Sequence, residues 1–148
     1  MTCDEFIEYI GETAKKVCKE YDLPASVCIS QACLESSWGN DAIGEFNFFG
    51  RKWGGWGNYI EVPTDEYYDG VWQTILAKFQ DYDSLEEAVK DWCVLMTEEP
   101  CYAPALDYRD DFEAFTRSMG AIYATDPDYA EKILSTIQAN DLTRFDLV

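Results

Sequence analysis

Of the 148 residues, 29 are acidic, 11 are basic and none is histidine. Acid–base chemistry therefore falls to carboxylates, tyrosine, lysine or cysteine. Without imidazole there is no Ser-His-Asp triad, no Cys-His pair and no His-ligated zinc, and neither a metal nor a cofactor is expected. One carboxylate stands out by its surroundings. Glu35 follows Val27, Cys28, Ile29, Ala32, Cys33 and Leu34, which read as a helix apolar on nearly every side. Helical spacing places Glu35 in the last turn, beyond Gln31 and Ala32. Burial there and the partial negative charge of a helix end both oppose an ionised carboxylate. That is the setting a general acid needs near neutral pH. The plainer reading is a glutamate at the solvent end of the helix, beside Ser36 and Trp38.

A general acid that cleaves a glycosidic bond works with a second carboxylate, roughly 5–9.5 Å away across the bond. Glu61, Asp65, Glu66 and Asp69 are available. Strand alternation sets Glu61 and Asp65 on one face and Glu66 on the other. Composition does not choose among them, and each alone reads as solvated surface. Between the two groups of carboxylates, Gly44, Gly50, Gly54, Gly55 and Gly57 interleave with Phe46, Phe48, Phe49, Trp53 and Trp56. Ring faces suit the apolar faces of pyranoses, and glycines let backbone amides approach. A loop packed by its own aromatics accounts for the pattern equally well.

The elements that position these residues follow from periodicity. Thr2-x-x-Glu5 is a capping box, and Phe6, Ile10, Ala14, Val17 and Tyr21 continue at helical spacing. Pro24 suits the first turn of the next helix, which Gly39-Asn40 can end. Residues 58–68 and 71–79 read as two strands joined by Asp69-Gly70, a two-residue turn signal. Ser84-x-x-Glu87 opens a helix with Leu85, Ala88, Val89, Trp92 and Met96 on one face. Phe112, Phe115, Met119 and Ile122 mark another. Asp126-Pro127 reads as an N-cap and first helical residue, with Ala130, Ile133, Leu134 and Ile137 as the final apolar face.

The net charge is 11 − 29 = −18, which excludes binding of nucleic acid through phosphate neutralisation and adhesion to anionic lipid. Aromatic content of 16% separates the chain from acidic disordered tails. No run approaches the ~18 apolar residues of a membrane span, and Met1-Thr2-Cys3-Asp4-Glu5 is not the start of a secretory signal. Cys18, Cys28, Cys33 and Cys93 fall at apolar positions of helical patterns, as reduced core fillers do.

Five segments carry a family resemblance. Gln31-Ala32-Cys33-Leu34-Glu35-Ser36-Ser37-Trp38-Gly39 resembles the "QA-x-LES-x-WG" helix end of the glucosaminidases of glycoside hydrolase family 73. Asn47-Phe48-Phe49-Gly50-Arg51-Lys52 resembles their "N-x-FG-x-K". Thr64-Asp65-Glu66-Tyr67-Tyr68-Asp69-Gly70 resembles "T-x-EY-x-x-G". Phe79-Gln80-Asp81-Tyr82-Asp83-Ser84 resembles "FR-x-Y-x-S", with Gln80 for the usual basic residue. Tyr123 to Ala130 resembles "YATDP-x-YA". The order and spacing cover nearly the whole chain. Ser37 and Arg51 depart from the pattern without removing a reacting group.

The resemblance implies an α+β, mostly helical, lysozyme-like fold with a buried central helix and a small β-hairpin lobe. It implies one catalytic domain over 1–148, with a helical lobe (1–45 and 80–148) and a β-lobe (about 46–79). The implied activity is that of an endo-β-N-acetylglucosaminidase cutting peptidoglycan after N-acetylglucosamine. A muramidase or lytic transglycosylase on the same fold, and a silent wall-binding domain, are the alternatives. Glu35 corresponds to the general acid and Glu66 to the second carboxylate. Tyr123 corresponds to a cleft tyrosine linked to catalysis. Asn47, Phe48, Trp53 and Tyr129 are substrate-binding or supporting positions, and Phe48 and Tyr129 could equally be core. The expected partners are peptidoglycan glycan strands, with no nucleic acid and no membrane insertion. A monomer acting at the bacterial wall is expected, alone or within a larger wall hydrolase or phage assembly.

Overall fold

Thr2 caps the first helix reciprocally with Glu5. Its hydroxyl accepts from the Glu5 amide at 3.1 Å, and the Glu5 carboxylate accepts from the Thr2 amide at 3.1 Å. Such a cap contributes about 1 kcal/mol. Helix α1 spans Cys3–Tyr21 in the computed structural model, which describes residues 1–146. Its apolar stripe buries Phe6, Ile7, Ile10, Ala14 and Val17, as the helical spacing requires.

Helix α2 spans Ala25–Glu35, and every residue from Ala25 to Cys33 is buried. It is enclosed by α1, by α4 (Phe112–Tyr123), by α5 (Tyr129–Ala139) and by a 3-10 turn at Leu142–Asp146. Inside this shell the Ser30 hydroxyl donates to the Ile133 carbonyl at 2.9 Å, while the buried Ser26 hydroxyl has no partner. Pro24 serves as the N-cap residue rather than as part of the first turn.

Strands β1 (Asn58–Tyr68) and β2 (Val71–Asp81) form one antiparallel pair, with Tyr68 opposite Val71 and Asn58 opposite Asp81. Asp69 and Gly70 both have positive φ, 49° and 79°, the geometry a two-residue hairpin turn needs. Ile60, Val62, Thr64 and Glu66 are half-buried, while Glu61 and Asp65 are exposed. The two faces of β1 therefore differ as alternation predicts. Beyond the hairpin, α3 spans Leu85–Glu98, opened by Ser84 accepting from the Glu87 amide.

Other details also differ from the sequence reading. Residues Pro100–Tyr108 form a 3-10 helix, which no periodicity announced. Helix α5 starts at Tyr129, because the Asp126 carboxylate accepts from the Asp128 amide at 2.9 Å and closes a turn in place of a cap. Ile122 is 45% exposed and does not join the apolar face of α4. Cys18, Cys28, Cys33 and Cys93 are buried, Cys3 and Cys101 exposed, and all six are free.

Candidate active site

Glu35 is the last residue of α2. The turn that follows is held by Ser36, whose hydroxyl donates to the Ala32 carbonyl at 2.6 Å and accepts from the Gly39 amide at 2.9 Å. Glu35 itself is exposed. The expected burial stops two residues short of it, at Cys33. Its environment is made instead by tyrosines from the last part of the chain.

Tyr129, the first residue of α5, donates its phenol proton to Glu35 Oε1 at 2.8 Å. The same phenol oxygen accepts from Gln31 Nε2 at 3.0 Å, and Gln31 Oε1 accepts from Trp92 Nε1 at 2.6 Å. Tyr129 is 6% exposed, and Gln31 and Trp92 are each 0% exposed. A chain of hydrogen bonds thus runs from the core of α3, through α2, to the carboxylate at the surface. Tyr123 at the end of α4 stacks on Tyr129 with ring centroids 5.8 Å apart and 2° between the planes. Its phenol donates to the Phe49 carbonyl at 3.3 Å. Burial, with the charge of Glu35 adding to it, holds both phenols well above their ordinary range. They act here as proton-bearing donors, not as bases.

The other side of Glu35 is a glycine. A Cβ placed on Gly50 would lie 3.8 Å from Glu35 Oε2, and Gly50 has φ +66°. The left-handed backbone there favours glycine, and a side chain would stand in contact with the carboxylate. Asn47 shapes this turn: its amide donates to the carbonyls of Arg51 and Gln80, both at 3.0 Å, and accepts from the Arg51 amide at 3.1 Å. Arg51 Nε reaches Asp91 of α3 at 3.4 Å, and the Tyr82 phenol donates to the same carboxylate.

The structure brings Glu35, Tyr123 and Tyr129 together. Glu66 lies on β1, opposite Gln73 and on the half-buried face with Val62 and Thr64. Asn47 and Phe48 are 1% and 3% exposed and offer a ligand almost no surface. Asn47 spends its amide on backbone, and Phe48 packs edge-on against Phe6, with centroids 5.2 Å apart. Both side chains face inward. Trp53 is half-buried against Tyr59, 5.0 Å between centroids, with Lys78 Nζ 5.4 Å from its ring. Tyr59 and Lys78 belong to the hairpin face opposite Glu66, so Trp53 is set apart from that carboxylate.

Residues that the sequence reading passed over do much of the positioning. Gln80, 1% exposed, accepts from the Gly54 amide at 2.9 Å and donates to the Trp56 carbonyl at 2.7 Å. It fixes the glycine-rich loop to the hairpin base. Its replacement of a basic residue was the available signal. Gln31 and Trp92 were visible only as a motif residue and an apolar position.

A family model for mannosyl-glycoprotein endo-beta-N-acetylglucosaminidase matches residues 11–142. Exo-glucosaminidase LytG of Bacillus subtilis is 35% identical over 150 residues, covering 97% of this chain and 53% of that protein. The catalytic domain of the autolysin Auto from Listeria monocytogenes superposes with a TM-score of 0.84 at 32% identity, covering 97% of this chain and 87% of that one. The glycoside hydrolase domain of FlgJ from Salmonella typhimurium gives 0.80 at 30% identity, covering 99% and 92%. The chain spans about half the length of the curated relatives it matches. With the fold, the ordered motifs and these relatives in agreement, the chain belongs to the glucosaminidase family, glycoside hydrolase family 73.

Proposed function

We propose that this chain is the catalytic domain of a peptidoglycan hydrolase, an endo-β-N-acetylglucosaminidase that cuts the β-1,4 bond after N-acetylglucosamine. The observation that carries this reading is Glu35: an accessible carboxylate at the end of a buried helix, oriented by Tyr129 at 2.8 Å and approached by a glycine on its other oxygen. Glu35 protonates the leaving oxygen. Glu66, from the inner face of β1, activates water or stabilises an intermediate formed by the substrate's own acetamido group. Tyr123, its proton engaged by the Phe49 carbonyl, and Tyr129 shape the wall of the cleft. No step calls for a metal or a cofactor.

The substrate reading is supported by the relatives, which include peptidoglycan hydrolases and an autolysin. The bacterial wall is the place of action, and the chain works there as a monomer or as one part of a longer wall hydrolase or phage assembly. One relative is named an exo-glucosaminidase, so release of single sugars from strand ends is the second reading. Mass spectrometry of digested peptidoglycan tests both. Fragments with N-acetylglucosamine at the new reducing end support the endo-glucosaminidase. Muramic acid reducing ends or anhydro products point to muramidase or transglycosylase chemistry, free N-acetylglucosamine points to exo action, and an undigested wall refutes catalysis.

A further inference from the structure

We propose that Gln31, locked by Trp92, is a positioning residue that makes the Tyr129 phenol a donor to Glu35 Oε1 and so leaves Glu35 Oε2 to carry the catalytic proton. The proposal rests on Glu35 being the general acid. Each link of the chain has only one possible polarity. An indole N–H is a donor with no acceptor, and Trp92 is 0% exposed, so its proton goes to the atom 2.6 Å away, Gln31 Oε1. That contact fixes the direction of the amide, since two N–H groups do not face each other. The Gln31 NH2 then meets the Tyr129 oxygen at 3.0 Å and, having no lone pair to offer, donates to it. The single phenol proton is left with one partner, Glu35 Oε1 at 2.8 Å.

A carboxyl group that receives a hydrogen bond on one oxygen does so best through its carbonyl oxygen. In the acid form of Glu35 the proton therefore sits on Oε2. This is the oxygen nearest Gly50, where a Cβ would stand at 3.8 Å and none is present. The core of the protein thus dictates which oxygen, and which side of the carboxyl group, faces the leaving group.

The test is the pH dependence of kcat/KM on soluble peptidoglycan fragments for the wild type, Tyr129→Phe, Gln31→Glu and Trp92→Phe, with melting temperatures to confirm folding. Removing a donor from a carboxylate makes it more basic. The basic limb of the profile, where the acid form is lost, moves up by about one pH unit in Tyr129→Phe. Gln31→Glu shifts it the same way, because a carboxylate at that site accepts from Trp92 and draws the phenol proton away from Glu35. Trp92→Phe frees the amide to turn over and gives a smaller shift in the same direction. It serves in place of Gln31→Glu should that variant not fold. A uniform loss of kcat/KM with an unmoved limb in the folded variants overturns the proposal alone. A wild type that hydrolyses nothing removes the underlying reading, and the proposal with it.

Discussion

Glu35 and Glu66 are held in opposite ways. Glu35 ends a helix buried on all sides, and its carboxylate is wired through Tyr129 and Gln31 to Trp92 in the core. Glu66 stands on a two-stranded hairpin whose ties to the rest lie at the base: the Trp53 amide donates to the Lys78 carbonyl and the Gln80 amide to the Arg51 carbonyl, both at 3.0 Å. Toward the tip, Tyr67, Leu76 and Trp72 are 59%, 63% and 70% exposed. Under the proposed roles, a site built this way pairs a preorganised acid with a second carboxylate on a lobe that can close on substrate. The acid needs fixed geometry, because proton transfer tolerates little misplacement.

This contrast can be broken experimentally. The largest effect is expected of Glu35→Gln, which should lose activity by about 10³-fold while melting like the wild type; wall lysis at the wild-type rate would remove Glu35 from the chemistry. Glu66→Gln comes next, with a loss of about 10²-fold. A mild effect in the same turbidity assay would pass the role to Glu61, Asp65 or Asp69. Gly50→Ala tests how tightly the fixed side is built. Its positive φ makes alanine cost about 1 kcal/mol in thermal unfolding, and the methyl beside Oε2 should lower kcat/KM about tenfold. The smallest effect concerns the whole surface. With a charge of −18 and an anionic wall, long-range forces oppose encounter, so added salt should leave lysis unchanged or speed it up. A steep fall with salt would mean that local cationic contacts hold the substrate.

The elements built on local rules were legible in the sequence. A capping box, an apolar stripe and an Asp-Gly turn each depend on residues within a few positions of one another, and α1, α2 and the hairpin follow them closely. The 3-10 helix at Pro100–Tyr108 was not legible, since Pro100 and Pro104 interrupt any helical pattern. The directions of side chains in the irregular segment also escaped. Asn47 and Phe48 sit in a turn, where no period says which way a residue points, and both turned inward. Trp53 went to the far face of the hairpin. The least legible feature is the one that orients Glu35. Trp92 is 61 residues from Gln31, and Tyr129 is 94 residues from Glu35. Glu35 was conspicuous for its buried helix, yet long-range tyrosine contacts, and not burial, define its surroundings.

The uninterrupted pairing of β1 and β2 limits how relatives of this chain can diverge. Side chains change face at every residue of a strand, so a single-residue insertion ahead of Asp65 would bring Asp65 onto the inner face and send Glu66 to the outer one. Insertions of two residues, matched by two on the opposite strand, would leave the same carboxylate facing inward. Under the role proposed for Glu66, such a hairpin can lengthen in even steps, while an odd step turns that carboxylate away from the half-buried face.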